Sequence, residues 1–287
     1  MKKYKICKIL LVILAIFLCV AFYELLGICV AYKKQPEVSN TTKKETKNGS
    51  WNECSENTER AVIIEKNPEA LLQRVRLIKN AKKEIILSTF AFQSDESGKL
   101  ILGALHDAAD RGVHIRLLVD GMESWIDMEG NPYFYGLSSH ENVEIKLYNK
   151  ANPLKPWEMM GRMHDKYLIA DGKRYILGGR NTYNYFLGDF PGHKNYDRDV
   201  LVVCDEPEKE NSVNQLLEYF ETIWEQEDSG YFHDNKKLAN RKSVKNAVLE
   251  LQNGYQKYFE ENKERICDTD YTDETFETEK IALVSNP

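Results

Sequence analysis

The sequence predicts an α/β fold, a parallel or mixed sheet flanked by helices and preceded by one N-terminal transmembrane helix. Three observations predict it. Apolar runs of strand length alternate with helix-period segments through residues 61–119, the pattern that builds layered α/β domains. A tight-turn dipeptide, Asp171-Gly172, separates two further apolar runs and marks a hairpin. The chain also opens on a long apolar stretch fenced by lysines.

That opening divides simply. Residues 1–8 carry Lys2, Lys3, Lys5 and Lys8, and residues 9–32 are uncharged except for Glu24 before Lys33-Lys34 follows. About 20 apolar residues suffice to cross a bilayer. A cleaved signal peptide would have a shorter apolar core and a small-residue cleavage site, and the residue before Cys29 is the bulky Ile28, a poor fit to a lipoprotein signal. An uncleaved anchor is therefore expected over 9–32. Glu24 is costly in hydrocarbon unless it lies near a boundary or pairs. Lysines flank both ends, so charge counting leaves orientation nearly balanced. Long C-terminal domains translocate largely regardless of charge, which places the main domain outside the cytoplasm.

Composition bounds the rest. The net charge is −6, and without residues 1–32 the chain holds 35 Lys+Arg against 44 Asp+Glu, a net of −9. An acidic domain is a poor generic binder of nucleic acid, whose affinity is largely phosphate electrostatics. Of the 6 cysteines, Cys7, Cys19 and Cys29 fall in the anchor. Cys54, Cys204 and Cys267 are an odd set without metal spacing, so neither a disulfide framework nor a metal site is implied.

Residues 33–57 are polar and read as a stalk. The main domain is expected over 58–232. It opens with a strand at 61–65 and a helix capped by Asn67, with Pro68 in its first turn. Leu71, Leu72, Val75 and Ile78 give that helix its apolar face. A buried-type strand at 84–92, a helix at 97–111 closed by Gly112, and a strand at 113–119 follow. The connection at 120–157 contains a strand at 143–148 and two aromatic segments, 130–135 and 153–157, read as rigid loops. They either line a lipid or alcohol site or pack locally. The stretch 189–203 returns to a strand that holds Asp197 and Asp199, and a helix at 212–227 completes the domain. Residues 233–279 read as a helical and acidic linker. The final residues, 280–287, repeat the pattern of 61–68 (AVIIEKNP), as if a second half-domain began there.

The chemistry concentrates in residues 163–181, MHDKYLIADGKRYILGGRN. His164 and Lys166 are two apart and share a strand face. Asp171 sits at the turn, and Gly178, Gly179 and Asn181 follow the second strand, the glycines permitting close backbone approach to a phosphate. An imidazole, an ammonium and a carboxamide would then converge at the open end of a hairpin, which suits holding and attacking a phosphate diester. Asp197 and Asp199 are candidate acceptors to orient His164, or plain solvated or salt-bridged acids. His193 lacks a correctly spaced lysine and reads as a surface residue.

The spacing His-x-Lys-x4-Asp-x6-Gly-Gly-x-Asn resembles the HKD signature of the phospholipase D superfamily, with the strand–helix–strand of residues 85–121 placed as that family has it. The resemblance implies a phospholipase D-like catalytic half over 58–232, catalytic His164, Lys166 and Asp171, and phosphate contacts from Lys166, Asn181, Gly178 and Gly179. By the residues themselves Asp171 reads rather as fixing the turn. The family's chemistry implies no cofactor and a phosphohistidine intermediate in hydrolysis or cardiolipin-type phosphatidyl transfer, with phospholipid as the substrate beside a membrane anchor. The family builds its site from two such motifs, and this sequence has one. The second is expected from a missing C-terminal half or from a second copy of the chain; otherwise the chain is inactive alone. An extracytoplasmic endonuclease and a non-catalytic anchored module are the alternatives. A basic cleft of Lys155, Arg162, Lys173 and Arg180 would favour the nuclease, and an apolar mouth of Phe134, Trp157, Met159 and Met160 would favour lipid.

Overall fold

The computed structural model describes residues 2–33, 59–207, 211–233, 235–279 and 281–283. The stalk expected at 33–57, Lys33 apart, and Cys54 lie outside these residues. Strands are β1 (Arg60–Ile64), β2 (Glu84–Thr89), β3 (His114–Asp120), β4 (Val143–Tyr148), β5 (Lys166–Ala170), β6 (Arg174–Gly178), β7 (Asp199–Val203), β8 (Ser229–Tyr231) and β9 (Phe276–Glu277). Helices are α1 (Lys2–Lys33), α2 (Asn67–Asn80), α3 (Glu96–Asp110), α4 (Gly121–Asp127), α5 (Pro132–Ser138), α6 (Ser212–Trp224), α7 (Lys242–Glu261) and α8 (Lys263–Cys267).

Among the described residues the strands make one sheet, ordered β8-β4-β3-β2-β5-β6-β7-β1-β9. Strands β2, β3 and β4 run parallel, and the other neighbours pair antiparallel. The sheet is mixed. Both of its faces are covered, which explains why β2 reads as a near-continuous apolar run rather than an alternating one. Ile85 and Leu87 point into a core shared with α2, α3 and α7, while Ile86 points into a second core closed by Val213, Leu216, Phe220 and Trp224 of α6.

Helix α1 is apolar and long enough to cross a membrane over Lys5–Lys33. Its large side chains are exposed along its length.

Five expectations change. Asn67 is the first residue of α2 rather than its cap; Lys66 holds the cap position. The Asn67 side chain turns inward, donating to the Asn195 carbonyl at 2.9 Å and accepting from Arg180 Nε at 3.1 Å. Residues 130–135 are not a rigid loop, because Asn131 caps α5 and Pro132 opens it. Phe134 on α5 is buried against Phe92, with rings 5.1 Å apart, so it lines no mouth. Residues 233–279 are not a linker: α7 sends Leu251 and Tyr255 into the main core, and β9 extends the sheet beside β1. Residues 281–283 form no strand; Ile281 and Leu283 pack with the α6 core, and the Leu283 amide donates to Gln215 at 2.9 Å.

Candidate active site

The hairpin forms as its turn chemistry predicts. Asp171 and Gly172 both take positive φ, 55° and 61°, which matches the twist of the flanking strands. Strand β5 lies antiparallel to β2, with Lys166 opposite Thr89. The end of β2 therefore meets the start of β5, and the residues just beyond each strand are brought together there. Phe90 follows β2, and its ring lies 4.7 Å from that of His164 at 65°. Asn181, just after β6, accepts from the Ala91 amide through Oδ1 at 3.1 Å, which leaves Nδ2 as the donor end. His164, Lys166 and Asn181 thus gather at one end of the hairpin.

His164 itself precedes β5, in the stretch that enters the strand. That entry is fixed by Asp120, at the end of β3. Its carboxylate caps α4 through the Met122 and Glu123 amides, accepts from Arg162 Nε at 2.9 and 3.0 Å, and accepts from the Met163 amide at 3.1 Å. The Arg162 guanidinium then lies over the Phe90 ring, 4.9 Å from its centroid. Phe90 is a shared floor for His164, Arg162 and, at 5.5 Å, the Lys166 ammonium.

Burial shapes the charges. Desolvation lowers the His164 pKa from its usual 6.5, and the Lys166 charge lowers it further. The imidazole is therefore neutral, with a lone pair, near pH 7. Desolvation also lowers the Lys166 pKa, opposed by Asp165 and Asp197. Lys166 Nζ donates to the His164 carbonyl at 2.7 Å. Among the described residues no carboxylate lies within ion-pair distance of it. Asp165 is pushed up by burial and accepts from the Tyr219 hydroxyl at 2.8 Å.

The remaining expected site residues lie elsewhere. Asp171 is at the opposite end of the hairpin, roughly 17 Å of strand from Lys166 at about 3.4 Å per residue. Its carboxylate accepts from the Lys82, Lys83 and Glu84 amides at 2.8, 2.7 and 3.0 Å. Its place among catalytic candidates is corrected: it is a clamp between the hairpin turn and the start of β2. Asp199 does not orient His164. It is buried in ion pairs with Arg74 at 2.9 Å and Arg180 at 3.2 Å. Asp197 lies against Gly179 and acts on Lys166 through its charge, and among the described residues no hydrogen bond joins it to the His164 ring. Gly178 and Gly179 are glycine for a packing reason: a Cβ would run into Asp199 and the Arg198 carbonyl at one, and into the Asp197 carboxylate at the other. His193 is exposed and stacks beside Tyr185 at 5.0 Å.

The expected basic cleft does not form. Lys155 pairs with Glu158, Arg162 with Asp120 and Glu123, Lys173 with the Asp205 carbonyl, and Arg180 is buried on Asp199. Among the described residues no group of three or more His, Cys, Asp or Glu is placed to hold a metal ion. Phe90, Asp120 and Tyr219 were missed from sequence. Asp120 had a signal, as an acid between a strand and a short helix; Phe90 and Tyr219 had none, because their roles depend on contacts distant in the chain.

Comparison with known proteins gives the family of this arrangement. The family model described as "Cardiolipin synthase, PLD-like domain" matches residues 74–224, and the chain belongs to the phospholipase D superfamily. It is 31% identical over 212 residues to an uncharacterized protein of Helicobacter pylori strain J99, covering 69% of this chain and 39% of that one. It is 29% identical over 171 residues to cardiolipin synthase C of Escherichia coli K12, covering 55% and 34%. The chain thus spans about two fifths or less of these relatives' lengths. Among solved structures, phosphatidylserine synthase of Haemophilus influenzae shares the fold, with a TM-score of 0.50 at 18% identity over 77% of this chain and 48% of that one.

Proposed function

We propose that the chain is a membrane-anchored phosphodiesterase or phosphatidyltransferase that acts on phospholipid through a phosphohistidine at His164. The observation that carries the reading is the juxtaposition of a neutral, partly desolvated imidazole with the Lys166 ammonium, which among the described residues makes no ion pair with a carboxylate. The first can attack phosphorus. The second can bind the equatorial oxygens of a diester, where charge develops in the transition state. Asn181 Nδ2 adds a hydrogen bond to the same oxygens. Asp165 and Tyr219 position the backbone between His164 and Lys166.

A ring nitrogen of His164 forms a bond to phosphorus as the bond to the departing alkoxide breaks, and an acid delivers the alkoxide its proton. Water or a lipid hydroxyl then attacks the phosphohistidine, loses its proton to that same group, and frees His164. The acid is assigned to a second His-x-Lys half, supplied by further chain or by a second copy. The apolar helix α1 supports a lipid substrate, and the pairing of Lys155, Arg162, Lys173 and Arg180 weighs against a nuclease cleft. The catalytic domain is assigned to the outer side of the membrane, where long C-terminal domains are carried.

The test is product analysis with phosphatidylglycerol vesicles and the intact protein. Phosphatidic acid marks hydrolysis and cardiolipin marks transfer. Both must vanish in His164→Ala with the fold retained; activity in that variant removes His164 from the mechanism.

A further inference from the structure

We propose that the loop of residues 150–162 is a second membrane contact, seated at headgroup depth beside α1, which sets the His164 site level with a phospholipid's phosphodiester. It rests on the reading of α1 as a membrane helix.

The helix is divided by what touches it. From Lys5 to Val20 every residue is exposed, whereas Ala21, Glu24, Gly27 and Ala31 are covered to differing degrees. Their spacing of three, three and four residues marks one helical face. That face meets the loop. The Tyr23 hydroxyl donates to the Leu154 carbonyl at 2.7 Å, the rings of Tyr23 and Trp157 stand edge to face at 6.4 Å, and Gly27 leaves room for Pro156.

The lengths agree with a bilayer. Residues 9–22, between Lys8 and Tyr23, span roughly 21 Å at about 1.5 Å per residue, and the long Lys8 side chain reaches on to the far headgroups of a ~30 Å hydrocarbon core. Tyr23 then falls at the boundary, where tyrosine and tryptophan concentrate. Glu24 leaves the hydrocarbon, which removes the cost of an acid in the span. The loop at that depth presents Leu154, 79% exposed, Trp157, 43%, and Met160, 50%. Beside the bare face of α1 they form one apolar patch, with the Lys155–Glu158 pair among them, 3.1 Å apart, as a charged rim. The loop is tied to the domain. Asn149 Nδ2 holds the Glu158 and Gly161 carbonyls, and Arg162 holds Asp120 and Glu123. His164 follows Met160 by four residues, so the depth of the loop fixes the depth of the site.

The experiment uses intact protein in vesicles of phosphatidylcholine and phosphatidylglycerol whose acyl chains carry bromine near the carbonyl end. The Trp157 emission is the difference between the parent and Trp157→Phe. A Phe17→Trp substitution in the Trp157→Phe background reports on α1. Quenching of both signals, with the Trp157 emission shifted to the blue, is the expected result. A quenched reporter at position 17 with an unquenched Trp157 overturns the loop contact and leaves α1 in the membrane. Absence of quenching at both positions overturns both readings.

Discussion

The ring of Phe90 stands edge-on to the imidazole of His164, 4.7 Å between centroids, and carries the cationic groups of Arg162 and Lys166 on its surface as well. One aromatic side chain therefore dries the histidine and seats two positive charges beside it. Both effects favour the neutral imidazole.

Removing that ring has a signed consequence. In the parent, the acid limb of the pH–kcat/KM profile is expected below pH 6.5, because burial and Lys166 lower the His164 pKa. Phe90→Ala admits water, and the limb moves up toward pH 6.5, with the largest relative loss of rate on the acid side. A limb that stays in place shows that other groups desolvate the ring.

Lys166→Met separates activity from stability. Loss of the charge at the phosphate is expected to lower kcat by roughly 10²–10³-fold, as for one stabilising donor in a preorganised site. The fold should gain. The Lys166 pKa is lowered by burial, so between the folded value and 10.5 the folded state binds fewer protons than the unfolded chain, and below that window the charged form weakens the fold by its full amount. The variant's advantage in Tm is expected to be largest near neutral pH and to shrink as pH approaches 10.5. Thermal melts at several pH values check this.

Asp171→Ala is expected to cost stability while sparing the chemistry. Three backbone amides lose a charged acceptor, and hydrogen bonds to charged groups contribute about 1.5–3 kcal/mol. Urea unfolding should shift accordingly, with kcat per folded molecule unchanged. A kcat loss in fully folded variant would return Asp171 to the mechanism.

Asp199→Ala strands Arg74 and Arg180 in the interior. Breaking a buried pair from one side costs about 3–5 kcal/mol, measurable as the shift in urea midpoint. Arg180→Met in addition should recover part of the loss. A single variant as stable as the parent would deny the pair its structural role.

The sequence told most where its information was local. Strand β4 fell on the expected residues 143–148, and the hairpin announced itself through Asp171-Gly172. Distant contacts were not legible. Asp199 reads as an ordinary acid two positions from Asp197 until Arg74, 125 residues away in the chain, is seen on it. Gly178 and Gly179 looked like room for a ligand and are crowded by Asp199, the Arg198 carbonyl and the Asp197 carboxylate. Helix α7 looked detached because its polar residues outnumber its apolar stripe, yet that stripe completes the core over α3.

Asp120 closes β3, opens α4 and grips both Arg162 and the Met163 amide. Such a junction behaves as a pivot. The segment from Asn149 to Met163 is fastened at each end, so a push on its exposed side chains has little slack to absorb it. The peptide that bears His164 is therefore coupled to the exposed side chains of that segment through the Asp120 hydrogen bonds.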